Sequence, residues 1–122
     1  MDGKAVVLTQ GMLESHYAKT AHGLIRGTDR YQVVGVVDKA QAGKDAGEVL
    51  DGKNRNIPVL ESVAALRKSG IEADYLIIGI ATKGGLIPDP LREEIIQGVL
   101  HGLHIVNGLH EFLENDRDLL HL

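Results

Sequence analysis

The sequence predicts a doubly wound α/β domain in three layers, with about five parallel strands between two layers of helix. Three observations predict it. Short, continuously apolar or β-branched runs recur along the chain, each is followed by a turn signal, and helical patterns fill most of the intervals. Continuous rather than alternating apolarity marks strands buried on both faces, as in parallel sheets. Strands that alternate with helices imply right-handed βαβ crossovers.

The elements follow in order. A first strand is expected over residues 5–9 (A-V-V-L-T), closed by Gln10-Gly11. A helix over residues 15–26 carries Tyr17, Ala21, Leu24 and Ile25 on one stripe, with Gly27 placed to end it. The second strand spans residues 31–37 (Y-Q-V-V-G-V-V) and ends at Asp38. Residues 39–56 are rich in glycine and charge and too long for a tight connection, with room for one turn of helix near residues 45–50; loops of that size are often functional. A weaker strand, residues 57–60 (I-P-V-L), comes next, and Ser62 is the expected N-cap of a helix over residues 63–68 stopped by Gly70. A strand over residues 75–80 (Y-L-I-I-G-I) precedes Asp89-Pro90, the N-cap and first position of a helix over residues 91–100. Glu93 and Glu94 occupy its favourable first turn. A strand over residues 104–106 and a last helix from near Glu111 complete the series. No repeat, low-complexity tract or linker divides the chain, so residues 1–122 read as one domain.

Composition narrows the function classes. Of 122 residues, 43% are hydrophobic and 25% charged, the balance of an ordinary globular domain. No apolar run reaches the roughly 18 residues that a membrane span needs, and the N-terminus lacks the features of a signal peptide. The net charge is −4 and no Lys/Arg cluster forms, so the electrostatic footprint of a nucleic-acid binder is missing. Tyr17, Tyr31, Tyr75 and Phe112 are scattered and form no base-stacking platform. The absence of cysteine excludes disulfides, thiolate zinc sites and cysteine nucleophiles. A cytoplasmic setting is expected.

In open parallel sheets, ligands bind outside the carboxyl ends of the strands, where strand order reverses. That rule selects Thr9-Gln10-Gly11, Asp38, residues 81–85 with Lys83, Gly84 and Gly85, and residues 107–111 with His110 and Glu111. The first loop carries no G-x-G-x-x-G fingerprint and no P-loop pattern. Lys19 and Thr20, entering a helix, suit an anionic group by charge and hydroxyl donation, or are simply solvated. Asp38 stands where nicotinamide-binding folds place the acid that holds a ribose hydroxyl; the other reading is an acid that caps the turn. Lys83-Gly84-Gly85 reads as a phosphate-contacting loop or as a solvent turn. His110 and Glu111 read as an acid/base pair or as an ordinary helix start. Among the six histidines neither His101/His104 nor His16/His22 has ligand spacing on one face, and no metal is expected.

Four stretches, K-T-A-H-G-L-I-R (19–26), A-G-K-D-A-G-E-V-L (42–50), I-G-I-A-T-K-G-G (78–85) and G-L-H-E-F-L (108–113), together resemble an uncharacterised bacterial and archaeal family. Its members pair an N-terminal Rossmann-like domain with a larger C-terminal P-loop domain. Some are described as NAD-dependent epimerase/dehydratase-like, and a D-glutamate N-acetyltransferase belongs among them. The resemblance implies a Rossmann-like fold and a P-loop partner domain that this chain does not contain. V-V-G-V-V-D followed by G-K-D-A-G-E is also similar to the second-strand region of dihydrodipicolinate reductase, which would imply a nicotinamide cofactor near Asp38.

Three functions are therefore expected candidates. The first is the ligand-binding domain of a two-domain enzyme of amino-acid N-acyltransfer, inactive alone. In it Gln10, Gly11, Lys19, Thr20, Lys83, Gly84 and Gly85 line the cleft for a small anionic ligand such as an acyl-CoA or an acidic amino acid, and His110 and Glu111 provide catalytic contacts. The second is an NAD(P)-binding oxidoreductase domain that uses Asp38. The third is an interaction domain that forms a homo-oligomer through the apolar C-terminal helix.

Overall fold

A computed structural model describes residues 3–15, 18–80 and 89–107. Strands β1 (Gly3–Leu8), β2 (Tyr31–Val37), β3 (Val59–Leu60), β4 (Tyr75–Ile78) and β5 (His104–Asn107) form one sheet in the order β3-β2-β1-β4-β5. Every neighbouring pair is parallel. The chain builds outward from β1 to β3, then returns over the sheet to lay β4 against the other side of β1. Strand order reverses between β1 and β4.

Among the described residues the connections carry helices α1 (Lys19–Arg26), α2 (Ala46–Asp51), α3 (Ala64–Lys68) and α4 (Asp89–Leu100). Successive strand residues face opposite sides of a sheet. Ile77 packs with Ala5, Tyr31 and Leu24 of α1. Its neighbour Leu76 meets α4, where a Cβ added at Gly98 would lie 2.6 Å from Leu76 Cδ2. Helices thus cover both faces, with α2 beside α1 and tied to it by Arg26–Asp51 at 3.0 Å. Burial on both faces explains the unbroken apolar runs: Ala5, Val6, Val7 and Leu8 are all fully buried. Each such valine or leucine contributes about 1.5–3 kcal/mol relative to exposure.

Several boundaries differ from the expected ones: the first strand spans Gly3–Leu8 rather than residues 5–9, the helix expected over residues 91–100 already begins at Asp89, and three more have a physical account. The first helix begins at Lys19 rather than residue 15, because residues 9–15 are held in turns by bonds to the end of β2. The third strand shortens to Val59–Leu60: Pro58 has no N–H to give, and it bridges antiparallel to Asp45 instead. The fourth strand ends at Ile78, where Gly79 turns to meet α1. The helix expected from Glu111 lies outside the described residues.

The long connection after β2 is not structureless. It holds a single 3-10 turn, Lys39–Gln41, and then α2. Asp45 organises it, accepting from Glu48 N (3.1 Å) as the N-cap of α2, and from Arg55 N (3.0 Å) and Ile57 N (2.7 Å) as the chain returns towards β3. Desolvation works to raise the Asp45 carboxyl, but backbone donors from Arg55, Ile57, Glu48 and Gly47 outweigh it and hold the group below the usual aspartate range. Asp51 is also held low, by hydrogen bonds from Arg26 and Arg55. Both folded carboxyls bind protons less tightly than the unfolded chain does. Their contribution to stability is therefore complete above the ordinary aspartate pKa of about 3.9, and it is lost as pH falls through the lower folded values. Asp45→Asn is expected to show a shallower loss of thermal midpoint than the parent between about pH 4 and pH 2. Parallel acid-limb curves for the two proteins would contradict this role.

Candidate functional site

At the carboxyl edge of the sheet, the chain segments leaving β1, β2 and β3 converge with the start of α4. They enclose a cleft of about 480 Å³ lined by Gln10, Lys39, Glu61, Ser62, Asp89, Pro90, Glu93 and Glu94. Its size is that of a small-molecule site, and its position is the switch point of a doubly wound sheet.

The wall after β1 is set by Thr9 and Gln10. Both backbone N–H groups donate to Val37 O, at 3.0 and 3.2 Å, so the loop is fastened to the end of β2 as it leaves the sheet. Gln10 adopts φ 45°, a left-handed conformation uncommon for a long side chain, and such outliers cluster at ligand sites. Its Oε1 is buried, with no hydrogen-bond partner among the described residues. Gly11 follows at φ 87° with open space where a Cβ would stand.

Asp38 is fully buried behind this loop. One carboxylate oxygen accepts from Thr9 Oγ1 (2.7 Å) and Leu13 N (2.8 Å); the other accepts from Ala40 N (3.0 Å) and Gln41 N (3.1 Å). Of the two roles open to Asp38, the structure displays the cap. It closes the 3-10 turn after β2 and clasps the loop after β1, with all four acceptor positions used. His22 Nε2 of α1 adds a bond to Leu13 O at 2.5 Å, and Gln41 bonds to Glu14. The first loop is thus turned inward onto the protein.

The opposite wall is the start of α4. Glu94 accepts from Val63 N at 2.8 Å and so locks α4 to the start of α3, where Ser62 Oγ also accepts from Ala65 N at 3.3 Å. Glu61, Asp89 and Glu93 are exposed at the rim, and Lys39 is the one cation of the described lining. Carboxylates therefore already face the positive end of the α4 dipole.

Of the residues selected from sequence, Gln10 lines the cleft and Gly11 follows it. Lys19 and Thr20 open α1 with exposed side chains and are not part of the described lining. Lys83, Gly84, Gly85, His110 and Glu111 lie outside the described residues. Lys39, Glu61, Ser62, Asp89, Pro90, Glu93 and Glu94 were not singled out for the site. The available signal was that the helices after parallel strands start at the carboxyl edge, so Ser62 and Asp89-Pro90, read only as caps, mark its wall. No group of three or more histidine, aspartate or glutamate side chains positioned for a metal occurs among the described residues, and no helix there is long and apolar enough to cross a membrane.

Comparison with known proteins places this geometry in a family. The sequence model described as "Domain of unknown function (DUF1611_N) Rossmann-like domain" matches residues 39–122. The chain belongs to the DUF1611 family. A crystal structure of a DUF1611 family protein from Anabaena variabilis ATCC 29413 superposes with a TM-score of 0.75 at 33% identity, over 88% of this chain and 30% of that one. The DUF1611 chain described here thus spans under a third of that relative's length. No curated protein matches. The resemblance carried by residues 19–26, 42–50, 78–85 and 108–113 is that of a DUF1611 N-terminal Rossmann-like domain.

Proposed function

We propose that this DUF1611 domain is the small-molecule-binding part of a two-domain enzyme of amino-acid N-acyltransfer, and that it is inactive without its partner domain. The observation that carries the reading is the cleft at the switch point, framed by Gln10 in a left-handed conformation on one side and the anchored start of α4 on the other. Family membership and the short span of the relative that this chain covers support the two-domain setting. The resemblance to a family that includes a D-glutamate N-acetyltransferase supports the reaction class. In this reading His110 and Glu111 supply polar or proton-transfer contacts, and Lys19, Thr20, Lys83, Gly84 and Gly85 assist binding.

The nicotinamide alternative draws less support. Leu13 N, a backbone donor in the loop where a dinucleotide fold would cradle phosphate, is committed to Asp38, and Asp38 has no acceptor position left for a ribose. Thermal unfolding with NAD, NADP, coenzyme A, acetyl-CoA, ATP and D-glutamate added separately separates the readings. A ligand at about 100 times its dissociation constant adds roughly 2.7 kcal/mol, a midpoint rise of about 4 °C per kcal/mol for a chain of this size. A rise with D-glutamate or a coenzyme A species is expected. A rise with NAD alone would replace this proposal by the oxidoreductase one, and no rise with any ligand would favour an interaction domain.

A further inference from the structure

The two edges of the sheet are finished differently. At β3 the chain itself closes the outer edge: Gly43 N donates to Val59 O at 2.9 Å, and Val59 N donates to Lys44 O at 2.9 Å. At β5, no strand among the described residues pairs with the outer side. His104 N donates inward to Asp74 O at 2.8 Å, and alternate residues of a parallel strand face the same neighbour, so Ile105 turns its N–H and C=O to the open side. An open edge is ordinarily guarded by charge, proline or a bulge. This one has none of them: the β4–β5 register is regular, and residues 95–107 contain no Asp, Glu, Lys, Arg or Pro in a chain that is 25% charged. The helix above it is equally unguarded. Leu91, Ile95 and Gly98 of α4 are buried and Glu94 reaches to the start of α3, whereas Ile96, Val99 and Leu100 lie on the side turned away from Glu94. Leu100 is 70% exposed.

We infer that a second copy of this chain adds its β5 to this edge, antiparallel about a two-fold axis at Ile105, so that the two sheets become one. Helix α4 rests over β4 and β5 together, since a Cβ at Gly98 would lie 2.6 Å from Leu76 Cδ2 and 3.3 Å from Ile105 Cδ1. Strands lie about 4.8 Å apart, so the second α4 would stand about two spacings, roughly 10 Å, from the first, the distance at which helices pack. The axis also passes at the level of Gly98. The two apolar stripes therefore meet around Val99 and Leu100, with Asp89, Arg92 and Glu93 at least a turn away. A lone added strand would satisfy Ile105 and leave the stripe in water, whereas a second copy covers strand edge and stripe in one contact. In this register His104 stands opposite Val106, and no like charges oppose each other across the strands. The surface differs from the C-terminal helix expected from the sequence, which lies outside the described residues. The two clefts open at opposite ends of the joined sheet, so the pairing neither uses nor blocks the proposed site.

The test is sedimentation velocity over a concentration series up to about 1 mM, with residue-resolved amide exchange on the same samples. The chain is expected to sediment as a dimer at the upper concentrations, and the Ile105 amide to gain protection in step with dimer formation. The His104 amide, already bonded to Asp74, should be protected throughout. Leu100→Lys alters a side chain that the folded chain leaves exposed, so the monomer should keep its fold. It should raise the dimer dissociation constant by about a hundredfold, because each dimer would bury the new charge twice, and return the Ile105 amide to fast exchange. A monomer at every concentration would overturn the proposal. So would a dimer that survives Leu100→Lys unchanged, or one in which Ile105 exchanges freely. An Ile105 amide protected in a monomer would mean that the chain covers its own edge, and would overturn it too.

Discussion

Replacing Asp38 by alanine is expected to cost about 3–5 kcal/mol, enough to lower the thermal midpoint by roughly 15 °C or to prevent folding. The carboxylate gathers four donors from two places: Thr9 Oγ1 and Leu13 N from the loop after β1, and Ala40 N and Gln41 N from the turn after β2. Thr9 is itself fully buried, so its hydroxyl would have no route to water once the carboxylate is gone. Each buried donor left unpaired costs about 1–3 kcal/mol, against a total stability of about 5–15 kcal/mol for a domain. Asp38→Asn is expected to be nearly as damaging, because its amide NH2 would face donors where the carboxylate accepts. Thr9→Val removes one donor from a carboxylate that keeps three and should cost about 1 kcal/mol. The double variant should lose less than the sum of its parts, the sign of a shared network. Urea midpoints for the four proteins measure all of this. An Asp38→Ala variant within about 1 kcal/mol of the parent would mean that water replaces the clasp.

That result bears on how the site is read. Asp38 stands at the end of β2, where an acid often holds ribose, so loss of nucleotide binding in Asp38→Ala would look like a lost contact. In this fold it would report a released first loop instead, with Gln10 and the cleft wall released too. A substitution that leaves the clasp intact, such as Gln10→Asn, is the informative one.

The fold was legible because burial writes itself into composition. Val6, Val7, Val36, Val37, Leu76 and Ile77 are apolar in unbroken runs since helices cover both sheet faces, and Gly27 and Gly70 follow the helices they end. The start of the first helix is not legible in the apolar stripe, which includes Tyr17, because the competing bond from Leu13 N goes to Asp38, a residue 25 positions away. The site was less legible for the same reason. Gln10 and Asp38 could be placed at the carboxyl edge from chain order alone. The unpaired state of Gln10 Oε1 and the saturation of Asp38 are properties of assembled neighbours. Glu61 and Glu93 come from two connections that sequence spacing does not bring together, and Glu93 and Glu94, expected in the first turn, stand beyond it because the helix already begins at Asp89, the one acid of that turn.

Gly79→Ala is expected to destabilise the chain by about 2–3 kcal/mol through packing alone. Gly79 follows β4, with its N–H bonded to Leu8 O at 3.0 Å and its carbonyl accepting from Ala21 N of α1 at 3.2 Å. Its φ lies outside the left-handed region, so the backbone accepts alanine without strain. The obstacle is space: a Cβ there would lie 2.7 Å from Val7 Cγ1 and 2.8 Å from Ala21 Cβ. Val7 is fully buried and stiff at χ1, and the Ala21 methyl is fixed to the helix backbone, so α1 itself must retreat from the sheet. Ala21→Gly alone should cost about 1 kcal/mol in helix propensity. Combined with Gly79→Ala it removes one of the two collisions, and the pair should be less destabilised than the sum by at least about 1 kcal/mol. Strict additivity in urea unfolding would show that the clash is relieved at Val7 rather than through α1. Because the hydrogen bond from Ala21 N ties α1 to the end of β4, retreat of the helix would also widen the switch point beside Gln10. Ligand binding should then weaken in Gly79→Ala and recover in the double variant, coupling a methyl-sized packing change to the cleft through one helix.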